Sequence, residues 1–154
     1  MFVFTAKLNR RRAVIALAAL AAVLCAVILL AGKRGEARAG SLSSPAGTNE
    51  QRVALLTELG WQVSPEPVEE QTVVIPREFS PIYEEYNALQ QAQGFDLKKY
   101  AGLEATRYTY EVRNYPDCED RVYADMVVYR GKLIAGDVQS SALDGFMRGL
   151  AYPK

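Results

Sequence analysis

Histidine is absent from all 154 residues. That absence excludes a Ser-His-Asp triad, a Cys-His dyad and a histidine-ligated zinc site built from this chain alone. Thiols are scarce as well, with only Cys25 and Cys118 present. There is no net charge, because 18 Lys and Arg offset 18 Asp and Glu. The balance conceals a division along the chain. Residues 1–39 carry seven basic residues against Glu36 alone, and the remainder carries 11 basic residues against 17 acidic ones. An acidic remainder repels phosphate, so nucleic acid is not an expected partner.

Long apolar runs are also absent, except one. Residues 13–31 read AVIALAALAAVLCAVILLA, with no charge, proline or glycine. As a helix this run is about 28 Å long, close to the ~30 Å hydrocarbon core of a bilayer. It is apolar all round and flanked by cations, unlike the core helix of a soluble domain. The sequence therefore predicts a single transmembrane helix with the lipid bilayer as its partner. The run exceeds the usual ~7–15 residues of a signal-peptide core, and Lys33, Arg34 and Arg38 precede the small-x-small site at Ala37–Ala39. A retained signal-anchor is expected over a cleaved, secreted form. The basic residues Lys7 and Arg10–Arg12 place the tail 1–12 in the cytoplasm and the rest outside. Residues 32–48, rich in Gly, Ser, Ala and Pro, read as a flexible linker.

From residue 49 to 154 the pattern turns periodic and predicts an α+β domain. Thr48 or Asn49 caps a helix with Val53, Leu56 and Leu59 on one stripe. Residues 68–75 read as a strand. Ser80 caps a second helix with Pro81 at its first position, and Ile82, Tyr83, Tyr86 and Leu89 form its expected buried stripe. Residues 103–113, 121–130 and 132–138 alternate as strands joined by short connections, which favours an antiparallel β-meander. Leu143, Phe146, Met147 and Leu150 have helical spacing after Ser140 or Ser141, giving a third helix. About three helices packed on one face of the meander are thus expected.

Several blocks of the domain occur in a familiar order. They include Gly60-Trp61-Gln62-Val63, Ile75-Pro76 with Phe79, Tyr86 to Gln90, and Gln93 to Leu97. Tyr108 to Val112, Asn114-Tyr115-Pro116, Gly136-Asp137-Val138 and Leu143 to Phe146 follow. In these the chain resembles the bacterial family called domain of unknown function 4830, over about residues 49–150. The resemblance implies a small anchored or exported protein and assigns no activity, cofactor or site residue.

The residues themselves offer few candidates for chemistry. Cys118 sits among Asp117, Glu119 and Asp120, whose charges suppress a thiolate. Those three carboxylates lack an EF-hand pattern and read as a solvated turn rather than a metal site. Neither a metal nor a cofactor is implied. Tyr83, Tyr86, Tyr108, Tyr110, Tyr123 and Tyr129 can line a groove or simply pack across strands. Tyr123, Asp125 and Tyr129, which share one strand face, and Asp137 are the candidate binding residues. Asp137 and Asp144 flank the expected last helix, where they favour its positive end.

These features suggest a membrane-tethered, non-catalytic binding or regulatory module outside the cytoplasm, serving an envelope protein or a small ligand. The alternative is a cell-envelope hydrolase that uses carboxylates without histidine. A pocket joining two of Asp125, Asp137, Asp144, Glu84 and Glu85 favours the alternative.

Overall fold

The computed structural model describes residues 44–153. The apolar run 13–31, the tail before it and most of the glycine-rich segment lie outside the described residues. Among the described residues no helix is long and apolar enough to cross a membrane.

Two helices, a 3₁₀ turn and five strands make up the domain. Helix α1 (Asn49–Glu58) begins at a capping box: Thr48 Oγ1 accepts from the Gln51 amide, and Gln51 Oε1 accepts from the Thr48 amide. It ends at Gly60, whose φ of 100° is one that glycine adopts at no steric cost. Helix α2 (Pro81–Ala92) starts at Ser80 with Pro81 in the first turn. The strands are β1 (Glu69–Val74), β2 (Glu104–Val112), β3 (Val122–Tyr129), β4 (Lys132–Ser140) and β5 (Met147–Arg148). They form one antiparallel sheet in the order β1-β2-β3-β4-β5. The 3₁₀ turn, Leu97–Tyr100, links α2 towards β2.

Strand alternation divides the core. On one face Tyr110, Ala124, Met126, Val128 and Leu133 pack against Leu56 and Leu59 of α1 and against Trp61. Trp61 is 1% exposed and donates from Nε1 to the Leu150 carbonyl at 2.6 Å. Arg52 of α1 is buried here without a carboxylate. Its guanidinium donates to Tyr110 Oη at 2.8 Å and to the Ala46 carbonyl at 3.0 Å, and lies over the Tyr108 ring. On the other face Val127, Ala135, Ala105 and Ile75 pack with Leu97 and with Tyr83 and Tyr86 of α2. The helices therefore occupy opposite faces of the sheet, not one face as the sequence suggests.

The expected third helix does not form. Residues 141–146 make a turn in which Ser140 Oγ accepts from the Ala142 amide, and Leu143 is fully exposed. The chain then returns as β5, pairing Met147 with Gln139 and Arg148 with Val138. Gly145 and Gly149 interrupt the apolar spacing, and each costs a helix about 1 kcal/mol relative to alanine. Phe146 stacks on Tyr115 at 4.5 Å, and Leu150 is wholly buried. The apolar residues are satisfied by turn and strand, so helical spacing here is coincidental.

The buried side of α2 also differs from expectation. Ile82 is 79% exposed, whereas Asn87 and Gln90 are buried. Asn87 Oδ1 accepts from the Leu97 amide at 2.8 Å, and Gln90 is drawn in by the β4 edge. β5 covers only Val138 and Gln139, leaving Gly136 without a strand beyond it. Gln90 Oε1 accepts from the Gly136 amide at 3.0 Å, and Gln93 Nε2 donates to its carbonyl at 2.9 Å. Gln93 Oε1 also accepts from the Leu150 amide at 2.7 Å. Gln90 of α2 and Gln93, which caps its end, thus stand in for a missing strand and close an edge that would otherwise invite pairing.

Candidate functional site

Antiparallel register aligns a polar row across the α2 side of the sheet. Glu69 of β1 is opposite Thr109 of β2, Thr109 is opposite Asp125 of β3, and Asp125 is opposite Asp137 of β4. Side chains facing each other this way have Cβ atoms about 4.5–5.5 Å apart. A second row sets Gln71, Arg107, Val127 and Ala135 beside it. Tyr86 and Tyr83 reach this region from α2, their rings edge-on at 6.0 Å.

Two recesses meet over these rows and share Arg107, Asp125 and Gln139. The inner one, about 210 Å³, lies against Tyr83, Tyr86, Asp137, Val127, Ile75 and Leu97. The outer one, about 410 Å³, opens between Val68, Glu69, Thr109 and Tyr123. Together they form a cleft with an apolar wall and a carboxylate floor.

The two aspartates differ in their partners. Both oxygens of Asp125 accept within the protein: Thr109 Oγ1 donates to Oδ1, and Gln139 Nε2 donates to Oδ2 at 2.9 Å. Asp137 is 2% exposed and receives one bond, from Tyr86 Oη to Oδ1 at 2.7 Å. Among the described residues its Oδ2 has no partner. Burial raises the Asp137 carboxyl to about 7, with the Asp125 charge adding to the rise and Tyr86 and Arg107 opposing it. Burial raises Asp125 as well, against the bonds from Thr109 and Gln139 and the attraction of Arg107. Tyr86 is held protonated by its own burial and by the anion it serves.

Arg107 is the cation of the cleft. Its Nη2 donates to Gln71 Oε1 at 2.7 Å and lies 3.6 Å from Glu69 Oε2. Its Nε–H is buried and unpartnered. Two residues lining the cleft thus each hold a buried polar atom that is unpaired among the described residues, one acceptor and one donor. An arrangement of this kind can hold a ligand through paired polar contacts, or carry a proton on Asp137 near neutral pH.

Of the residues singled out from sequence, Asp125 and Asp137 come together and Tyr123 lines the outer recess. Tyr129 stands elsewhere on the same face, edge-on to Tyr100 at 5.6 Å. Tyr108 and Tyr110 belong to the opposite face, with Arg52. Asp144 lies apart in an exposed turn, beside a separate surface recess with Asp117, Cys118 and Asp120. Glu84 pairs with Lys98 at 2.8 Å on the surface. Among the described residues no group of His, Cys, Asp and Glu is arranged to hold a metal. Sequence reasoning missed Arg107, Thr109 and Gln139 as members of the site. Alternation in β2 already puts Arg107 and Thr109 opposite Tyr108 and Tyr110, and that was the available signal.

No curated protein and no solved structure matches the chain. A family match covers residues 55–138, more than half of the sequence, and spans every residue of the cleft except Gln139 and Met147. The chain belongs to the bacterial family described as Domain of unknown function (DUF4830).

Proposed function

We propose that this chain is a non-catalytic binding or regulatory module, tethered to a membrane through residues 13–31 and facing away from the cytoplasm. Its ligand site is the cleft between α2 and the sheet. One observation carries the choice of site: a carboxylate oxygen of Asp137 lies buried in the cleft with nothing to bond. Buried polar groups are rarely left unmatched, and one that is calls for a physical reason, of which a bound ligand is one. Binding is preferred to catalysis because both oxygens of Asp125 are already taken within the protein. The tether rests on nineteen uncharged residues between basic flanks.

Ligand-observed NMR of the full-length protein with a fragment mixture tests the site. Fragments should bind the wild type and Asp144→Asn alike and lose binding to Val73→Trp, which fills the inner recess. Absence of binding, or binding indifferent to Val73→Trp, overturns the reading. For the tether, the chain should resist extraction from membranes by alkaline carbonate. Cys118 should react with an impermeant thiol reagent on intact cells. A wholly cytosolic chain contradicts that part.

One observation favours the hydrolase alternative. Asp125 and Asp137 face each other, and one holds a proton to about 7, as a general acid does. Turnover of an ester, amide or glycoside abolished by both Asp125→Asn and Asp137→Asn would decide for it.

A further inference from the structure

The two open groups of the cleft have opposite character. Asp137 Oδ2 wants a donor, and Arg107 Nε–H wants an acceptor. Arg107 is drawn towards β1 by Gln71 and Glu69; it attracts Asp125 and Asp137, which lie side by side, but among the described residues neither aspartate has an ion-pair partner. Around them Val73, Ile75, Leu97 and Val127 supply an apolar wall. The inner recess, about 210 Å³, is smaller than the ~300–1,000 Å³ of a drug-sized pocket, so its occupant is small.

We propose that the cleft binds a small primary ammonium ion carried on an apolar body, with the ammonium on Asp137 Oδ2 and an acceptor group of the same ligand on Arg107 Nε–H. This inference rests on the cleft being a ligand site. An ammonium supplies the missing charge and several donors at once, and the apolar body covers the hydrophobic wall. A neutral alcohol supplies one weak donor and no charge. An anion meets two carboxylates with Glu69 close by, and is repelled.

Binding is linked to pH. The groups facing Asp137 are Tyr86 and Tyr83 from α2, Asp125 from β3 and, further out, Arg107 from β2; Met147 of β5 is uncharged. The ammonium binds the ionised carboxylate and so displaces the proton that Asp137 holds up to about 7. Affinity should rise roughly tenfold from pH 6 to pH 8, because an ordinary alkylamine, like lysine, stays charged to about 10.

The test is calorimetry on the full-length protein with 3-methylbutylamine, its alcohol counterpart 3-methylbutan-1-ol, and the amino acids leucine and 6-aminohexanoate. The amine should bind saturably, at least tenfold tighter than the alcohol, with proton release at pH 7. Asp137→Asn should remove that preference, while Asp144→Asn should keep it. At least one amino acid should exceed the amine, and Arg107→Met should erase the gain. Equal binding of amine and alcohol overturns the ammonium assignment but leaves the cleft as a ligand site. Equal binding of the amine and both amino acids overturns the Arg107 contact. Failure of all four compounds to bind overturns the cleft reading with it.

Discussion

A buried carboxyl that prefers its proton makes the domain less stable as the solution becomes more alkaline. Asp137 holds its proton to about 7 when folded, against an ordinary value of about 3.9 in the unfolded chain. Between those values the native state binds a proton that the unfolded state has released, so stability falls as pH rises. Linkage over pH 5 to 8 gives a loss of about 2–3 kcal/mol from this one group. Asp125, also raised, acts in the same direction. Glu50 and Asp96 are lowered and act oppositely, but their effect falls below the ordinary carboxylate range, outside this window. Trp61 is the sole tryptophan and is buried between Tyr115 and Tyr152, so its emission reports unfolding of this domain alone. Urea unfolding followed by Trp61 fluorescence at pH 5, 6, 7 and 8 should show a falling midpoint for the wild type. Asp137→Asn keeps an acceptor for Tyr86 and cannot ionise, so most of the slope should vanish. A wild-type midpoint that rises or stays flat over this range refutes the reasoning. So does an Asp137→Asn slope as steep as that of the wild type.

Other outcomes follow from the same contacts. Tyr86→Phe removes the hydrogen bond to the Asp137 carboxyl and should push that carboxyl higher still, extending the loss of stability above pH 7 in the same urea series. Gln93→Ala uncaps the Gly136 carbonyl and the Leu150 amide, and should cost about 2 kcal/mol in urea unfolding, with faster hydrogen exchange at Leu150. Gly136→Ala would place a methyl group 2.5 Å from Leu150 Cδ1 and 2.9 Å from the Asp125 carbonyl; a loss of about 1–3 kcal/mol is expected by the same method. Asp144→Asn, in an exposed turn, should change stability by less than about 0.5 kcal/mol.

What is legible in the sequence is what local chemistry decides. Thr48 and Ser80 mark helix starts because their side chains take up the first free amides, and no distant residue alters that. The meander is legible because β2 alternates polar and apolar residues and the Arg130-Gly131 turn joins β3 directly to β4. The last segment is misread because four apolar residues at helical spacing outweigh Gly145 and Gly149 when their destinations are unknown. Phe146 is taken up by Tyr115, and Leu150 by the pocket around Trp61. The amide face of α2 is illegible for a different reason. Asn87, Gln90 and Gln93 look solvated until Gly136 and Leu97 are seen to need partners. The site divides likewise. Asp125 and Asp137 stand out as carboxylates in apolar strands, but their pairing depends on the register of β3 with β4. Tyr129 shares their face and still misses the cleft, because Tyr100 of the 3₁₀ turn takes its ring.

The half-paired carboxylate of Asp137 is the centre of both the fold's polar face and its proposed ligand site. A carbon-13 NMR titration of that side-chain carboxyl reads it directly. The midpoint should lie at about 7 in the free protein and fall by at least one pH unit when 3-methylbutylamine occupies the cleft. A midpoint near the ordinary aspartate value of about 4, unmoved by the amine, would contradict it.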